Sequence, residues 1–301
     1  MAPFPQLKLT YGLTPPKATT APERQREIAA LQTARVNALG VDALVVYDLQ
    51  DESSRTPVAR PFPFLETVDP ADYAADHLRG VTVPRVVYQS VGRRGLPALR
   101  ASLQAIHERG HAVVLVGAPS KDSVPATRLS EAYALRSAEV GGLPLGGVVI
   151  AERHGERGSE VDRVLSKCAQ GCSFFVSQTV YAVTSTKNLL SDLHYRCLAL
   201  GRPVPPVLVT LSPCGSLKTL EFMRWLGVSV PRWLENELSH SADILETSVE
   251  VSARVFEELH GFARDKGIPL GANVESVSLG KAEIDASVEL TRRVQRTLGR
   301  S

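Results

Sequence analysis

The chain has 301 residues, 34 of them basic and 32 acidic, for a formal net charge of +2, and 44% of it is hydrophobic. This is globular composition with enough apolar material for a large core, and the balanced charge gives no electrostatic ground for a nucleic acid partner. No apolar run approaches the roughly 18 residues of a membrane span, and the first residues lack the pattern of a secretory signal, so a cytoplasmic protein without a membrane partner is expected.

Leu7 to Leu13 alternates, placing Leu7, Leu9, Tyr11 and Leu13 on one face, and Pro15-Pro16 ends the run because neither proline can donate to a sheet. Thr20-Ala21-Pro22-Glu23 has the spacing of a capping box and predicts a helix over about 21–39. Further strand-like runs follow at 43–47, 85–90, 112–116, 147–151, 173–177, 207–211 and 270–277. Helical spacing occupies 96–108, 126–140, 160–169, 187–200, 217–226 and 239–266. Eight strands alternating with helices predict a (β/α)8 TIM barrel, a single domain over 1–301. Runs such as Val113-Val114-Leu115-Val116 are apolar on both faces, as parallel strands covered by helices are. A doubly wound open sheet is the alternative, but no GxGxxG turn follows the first strand.

The connection from Leu49 to Asp69 is long, with prolines at 57, 61 and 63 and aromatics at Phe62 and Phe64. A loop of that length after the second barrel strand belongs to the catalytic face. Gly92-Arg93-Arg94-Gly95 reads as a solvated loop or a local anion contact. Cys168, Cys172, Cys197 and Cys214 have no metal-ligand spacing with each other or with the scattered histidines, so buried thiols and no metal are expected.

Over nearly its whole length the chain resembles the methylenetetrahydrofolate reductase family. The residues that carry the likeness come in family order: Pro15-Pro16-Lys17 after the first strand, Phe174-Phe175-Val176-Ser177-Gln178 with Tyr181, Pro206 to Pro213, Leu226-Gly227-Val228-Ser229-Val230-Pro231, and Gly267-Ile268-Pro269-Leu270-Gly271 through Lys281-Ala282-Glu283. The departures cluster. The family's first-strand glutamate, which helps open the imidazolidine ring, is Gly12 here, and its Arg-Gly-Asp run after the fourth strand reads Val116-Gly117-Ala118. On the helix before the sixth strand only Glu160 and Lys167 stay similar to the family's flavin contacts. The resemblance therefore implies reduction of 5,10-methylenetetrahydrofolate to 5-methyltetrahydrofolate by NADH or NADPH, with FAD doubtful and direct hydride transfer expected. A conventional FAD enzyme and a non-catalytic folate-binding or regulatory barrel are the alternatives.

An acid must then replace the missing glutamate. Glu52, with Asp48 beside it, is expected to supply the proton, since barrel catalysis is assembled from strand ends and the loops that follow; an exposed loop carboxylate is the competing reading of Glu52. The resemblance assigns Gln178 to the pterin edge, with Tyr181 near either ligand or packed at a helix start, Lys281 near the glutamate tail or simply a surface lysine, and Glu152 and His154 near the nicotinamide cofactor or bracing the loop. Tyr47, Tyr88 and Gln89 lie at strand ends facing the mouth, Tyr88 being assigned to the cofactor and the other two to the folate. Neither the choice between NADH and NADPH nor the oligomeric state is legible.

Overall fold

The computed structural model describes residues 7–53, 56–118, 124–155 and 160–300. The N-terminal segment read above for a secretory signal lies outside these described residues. The strands are β1 (Leu9–Leu13), β2 (Ala43–Val46), β3 (Arg85–Ser90), β4 (Ala112–Val116), β5 (Leu145–Val149), β6 (Cys172–Thr179), β7 (Val207–Leu211) and β8 (Leu270–Glu275), and they close in chain order into a parallel barrel. The helices are α1 (Pro22–Ala38), α2 (Pro70–Asp76), α3 (Leu96–Glu108), α4 (Leu129–Glu139), α5 (Glu160–Ala169), α6 (Val183–Ala199), α7 (Leu217–Trp225), α8 (Arg232–His240), α9 (Ile244–Lys266) and α10 (Lys281–Thr297). The fold is the expected (β/α)8 TIM barrel. Among the described residues no helix is long and apolar enough to cross a membrane.

By compactness the chain divides into two units. The first takes Tyr11–Gly147 and Ala169–Ser173. In it β2 pairs β3 (Val45 with Val86), β3 pairs β4 (Tyr88 with Val114) and β4 pairs β5 (Val113 with Leu145). That last register explains why β5 starts two residues before its expected position: Leu145 and Gly146 find their partners on Val113 and Val114. In the second unit β6 pairs β7 (Phe175 with Val207) and β7 pairs β8 (Thr210 with Asn273). Valines and leucines of these strands are almost wholly buried, as both faces of a helix-covered parallel sheet must be.

Local signals decide the helix ends. The capping box at Thr20 does not form: Ala21 is the N-cap, without a side-chain bond, and the Thr20 carbonyl instead accepts Gln25 Nε2 at 2.8 Å. Three helices absent from the sequence reading appear: α2, α8 and α10. Asp69 caps α2 through the amides of Ala71 and Asp72, with Pro70 in the first turn. Residues 239–266 are not one helix, because α8 ends at His240 and α9 restarts after Asp243, whose carboxylate accepts the Glu246 amide at 3.0 Å. Gly171 takes φ 97° between α5 and β6, and of the four free thiols Cys168 is half-buried while Cys172, Cys197 and Cys214 are buried.

Candidate functional site

In the first unit the ends of β2 and β3 carry one group of candidates. Tyr47 and Tyr88 place their rings 4.8 Å apart at 59°. Alternation along β3 sends Tyr88 and Ser90 to one face and Arg85, Val87 and Gln89 to the other. Gln89 therefore meets α3, where Oε1 accepts the Ser102 hydroxyl at 2.9 Å while Nε2 donates to the Tyr88 carbonyl at 3.1 Å. Fully buried, it braces strand against helix, which corrects its expected role in reading a ligand.

Asp48 is corrected in the same way. Its side chain is 1% exposed, and Oδ2 accepts the Ser90 amide at 2.7 Å and Arg94 Nη1 at 2.8 Å, while Oδ1 lies 3.7 Å from Arg93 Nη2. Both oxygens face cations or a backbone donor, so Asp48 is an anchor and not a proton donor. The Arg94 guanidinium also holds Asp69, and the Arg94 side chain is only 11% exposed. The basic run is thus no solvated loop at Arg94. Asp72, in the first turn of α2, has its carboxyl pushed above the ordinary range by burial and by neighbouring Asp69 and Asp76.

Glu52 is half-buried in the loop that follows. Together with Asp51 it offsets the burial that lowers the Arg60 pKa, and the Arg60 guanidinium lies 5.4 Å over the Phe64 ring. Ser54 and Arg55, at the end of this charged run, lie outside the described residues. Gln50 reaches from the same loop to the Gly117 carbonyl, Nε2 donating at 3.2 Å. A Cβ at Gly92 would come within 3.3 Å of Ala118 Cα, so the turn after β3 packs closely on that backbone.

In the second unit the register of β6 on β7 shifts between Val176 and Thr179. There the Ser177 hydroxyl accepts the Thr210 amide at 2.9 Å, and Thr210 Oγ1 donates to the Ser177 carbonyl at 2.6 Å. Such an irregularity re-aims a side chain. The one affected is Gln178, whose Nε2 donates to the Leu226 carbonyl at 2.8 Å, holding the amide in one orientation. Asn273 extends the chain of bonds, donating to Thr210 Oγ1 at 3.3 Å and accepting from Thr10 at 2.9 Å.

The remaining candidates of this unit separate by environment. Tyr181 is 1% exposed and its hydroxyl donates to the Ser212 carbonyl at 2.7 Å; burial pushes its pKa up, and no face of the ring is open to a ligand, a correction to its expected role. His154 Nε2 lies 2.8 Å from Asp192 on α6, so it braces helix against turn, the second of the two roles expected of it. Glu152 is half-buried on the turn after β5, its Oε1 3.5 Å from the Ser229 amide, and burial raises its pKa. Lys281 is 90% exposed and pairs with Asp285 one turn along α10 at 2.6 Å. Glu160 accepts the Ile150 amide at 3.1 Å and pairs with Arg163, and Lys167 donates to the Val148 carbonyl. Both therefore serve the end of β5.

The sequence reading missed Asp69 and the double engagement of Arg94. Asp69-Pro70 is a helix-start signal that would have found the former; nothing local announces the latter.

No protein-family model matches the chain, and no curated protein matches it. Among solved structures, an uncharacterized protein from Clostridium thermocellum that binds two copies of 5-methyl-5,6,7,8-tetrahydrofolic acid is 40% identical, over 96% of this chain and 95% of that one, with a TM-score of 0.84. Xanthomonas albilineans dihydropteroate synthase, at 15% identity over 98% and 94% of the two chains, has a TM-score of 0.45, too low to carry any argument. Identity of that first degree across almost the whole of both chains places the protein in the (β/α)8-barrel family of the Clostridium thermocellum 5-methyltetrahydrofolate-binding protein.

Proposed function

We propose that the protein reduces 5,10-methylenetetrahydrofolate to 5-methyltetrahydrofolate with hydride taken directly from NADH or NADPH. The observation that carries this reading is the 40% identity to a protein that binds 5-methyltetrahydrofolate, the product of that reaction. The two copies bound there also support reading two ligand positions, one for folate and one for a second flat ring.

In the reaction the C–N10 bond of the substrate breaks, N10 takes a proton from an acid, and the N5 iminium carbon accepts hydride to become the methyl group. Direct transfer requires donor and acceptor carbons within roughly 3–3.5 Å in a ternary complex. The residues fit poorly to a bound flavin: where the resemblance puts charged contacts, the Gly117 carbonyl is bonded to Gln50, Ala118 has no polar side chain, and Glu160 and Lys167 are engaged by the backbone at the end of β5. No step is therefore assigned to FAD.

Gln178, oriented by Leu226, keeps its amide oxygen for the donors of the pterin edge. Tyr47 and Tyr88 form an aromatic wall for a flat ring, and Lys281 is free to swing from Asp285 to a carboxylate of the glutamate tail. Glu52 supplies the proton. A second acid is favoured by one observation: burial holds Glu152 protonated to higher pH than an ordinary glutamate, the condition a general acid needs.

The test is anaerobic mixing of purified protein with reduced nicotinamide and methylenetetrahydrofolate, after an absorbance spectrum. Direct transfer gives colourless protein, nicotinamide oxidation and intersecting initial-velocity lines. Stoichiometric flavin with parallel lines would establish the conventional enzyme; folate binding without oxidation would establish the non-catalytic barrel. Glu52→Gln and Glu152→Gln separate the two acids, since only the true donor's loss removes turnover while folate affinity persists.

A further inference from the structure

We infer that Arg94 is a positioning residue that fixes both ends of the loop carrying Glu52; the catalytic part of this inference rests on the function proposed above. The loop leaves β2 through Asp48 and enters α2 through Asp69, and one guanidinium binds both carboxylates, Nη1 to Asp48 at 2.8 Å and Nη2 to Asp69. Arg94 is itself held on two sides. Its Nη1 donates to the Ser90 carbonyl at 2.9 Å, and its own carbonyl accepts the Thr127 hydroxyl at 2.6 Å.

The neck of the loop is reinforced beside this pair. Arg93 lies 3.7 Å from both Asp48 and Glu66, and Lys17 and Thr67 form an antiparallel bridge in which Ala18 donates to Glu66 and Val68 to Pro16, each at 2.9 Å. Glu52, four residues beyond Asp48, inherits its place from this frame. A planar fork with divergent donors can span two carboxylates, whereas a lysine ammonium is one point charge on a flexible stem. The sequence separations, 46 residues to Asp48 and 25 to Asp69, mean that the fork also shortens the free length of a connection that chain entropy would otherwise let wander.

Two variants test the assignment. Arg94→Lys keeps the charge and loses the fork. Asp69→Asn keeps the N-cap of α2, since asparagine caps as well as aspartate, and removes only the ion pair at the loop exit. In each, hydrogen exchange at the Ala18 and Val68 amides should accelerate by about tenfold, the effect of losing one charge-assisted bond, with exchange at Phe175 and Val207 unchanged. Turnover should fall by about tenfold or more through displacement of Glu52, with 5-methyltetrahydrofolate affinity within about twofold of the parent and no change in the pH profile. Unchanged exchange in both variants overturns the inference. Faster exchange at unchanged turnover overturns the catalytic part, leaving a loop anchor only. If the parent protein oxidises no nicotinamide, the proposed reaction fails by itself, and the exchange rates still decide whether Arg94 fixes the loop.

Discussion

The two compact units order their strand ends by opposite means. In the first, charge does it: nearly buried Asp48 and Arg94 continue into half-buried Asp69, with Arg93 and Glu66 at the edge of the row. In the second, charged Glu160 and Lys167 hold only the end of β5, and at the other strands neutral groups do it: Thr10, Asn273, Thr210 and Ser177 pass hydrogen bonds from β1 through β8 and β7 to β6. The difference teaches what each arrangement is for. A charged row holds a long loop through a few strong, directional contacts and is costly to break, because the surviving ion stays desolvated. A neutral chain adjusts one strand irregularity and aims one amide, at a smaller stake per bond.

Removing Asp48 is the hardest blow to this contrast. Asp48→Ala leaves the buried Arg94 short of its main partner and should cost about 3–5 kcal/mol, measured by denaturant unfolding; a loss below about 1 kcal/mol would mean the row behaves as a surface pair. Glu52→Gln comes next, with turnover down about 10²-fold or more and unfolding unchanged, read by steady-state kinetics. Ser177→Ala should cost about 1–3 kcal/mol, less than Asp48→Ala, and should weaken folate binding through Gln178; equal costs for the two variants would erase the distinction between the units.

A pH effect follows from His111 in the first unit, whose pKa is pushed down to about 4 by burial and then by Arg85. The unfolded chain takes up this proton as pH falls through about 6.5, and the folded one does not until about pH 4. Stability is therefore full above the unfolded value and declines as pH drops towards the folded one, by about 1 kcal/mol or more at pH 5. Urea unfolding at pH 7.5 and pH 5, with and without His111→Phe, reads the effect. The smallest change is expected of Lys281→Ala, within about 0.5 kcal/mol of parental stability, so any loss it shows in binding polyglutamylated folate reports the ligand contact alone.

Some of the site was legible beforehand and some was not. Tyr47 and Tyr88 could be placed at the ends of β2 and β3 because strand alternation and position at a strand end are properties of a few consecutive residues. Gln89, one residue along, was misplaced because the end of a strand does not announce which parity faces the helices until the register is known. Tyr181 and His154 lay in stretches that resembled a family, yet their partners, Ser212 and Asp192, stand 31 and 38 residues away. Gln178 lies near the end of β6 as the strand pattern implied, although the register shift that orients it left no local mark.

By itself the sequence determined the alternation of strands and helices, and with it the barrel, because apolar runs of strand length and amphipathic spacing are local patterns set by backbone geometry and burial. It also marked the loop after β2 as the unusual connection. Only the tertiary structure decided what each polar strand-end residue does. Asp48 became an anchor, Gln89 a brace and Glu152 a carboxyl whose pKa burial raises, because a charged or hydrogen-bonding side chain takes its role from partners and dielectric surroundings that long-range packing supplies.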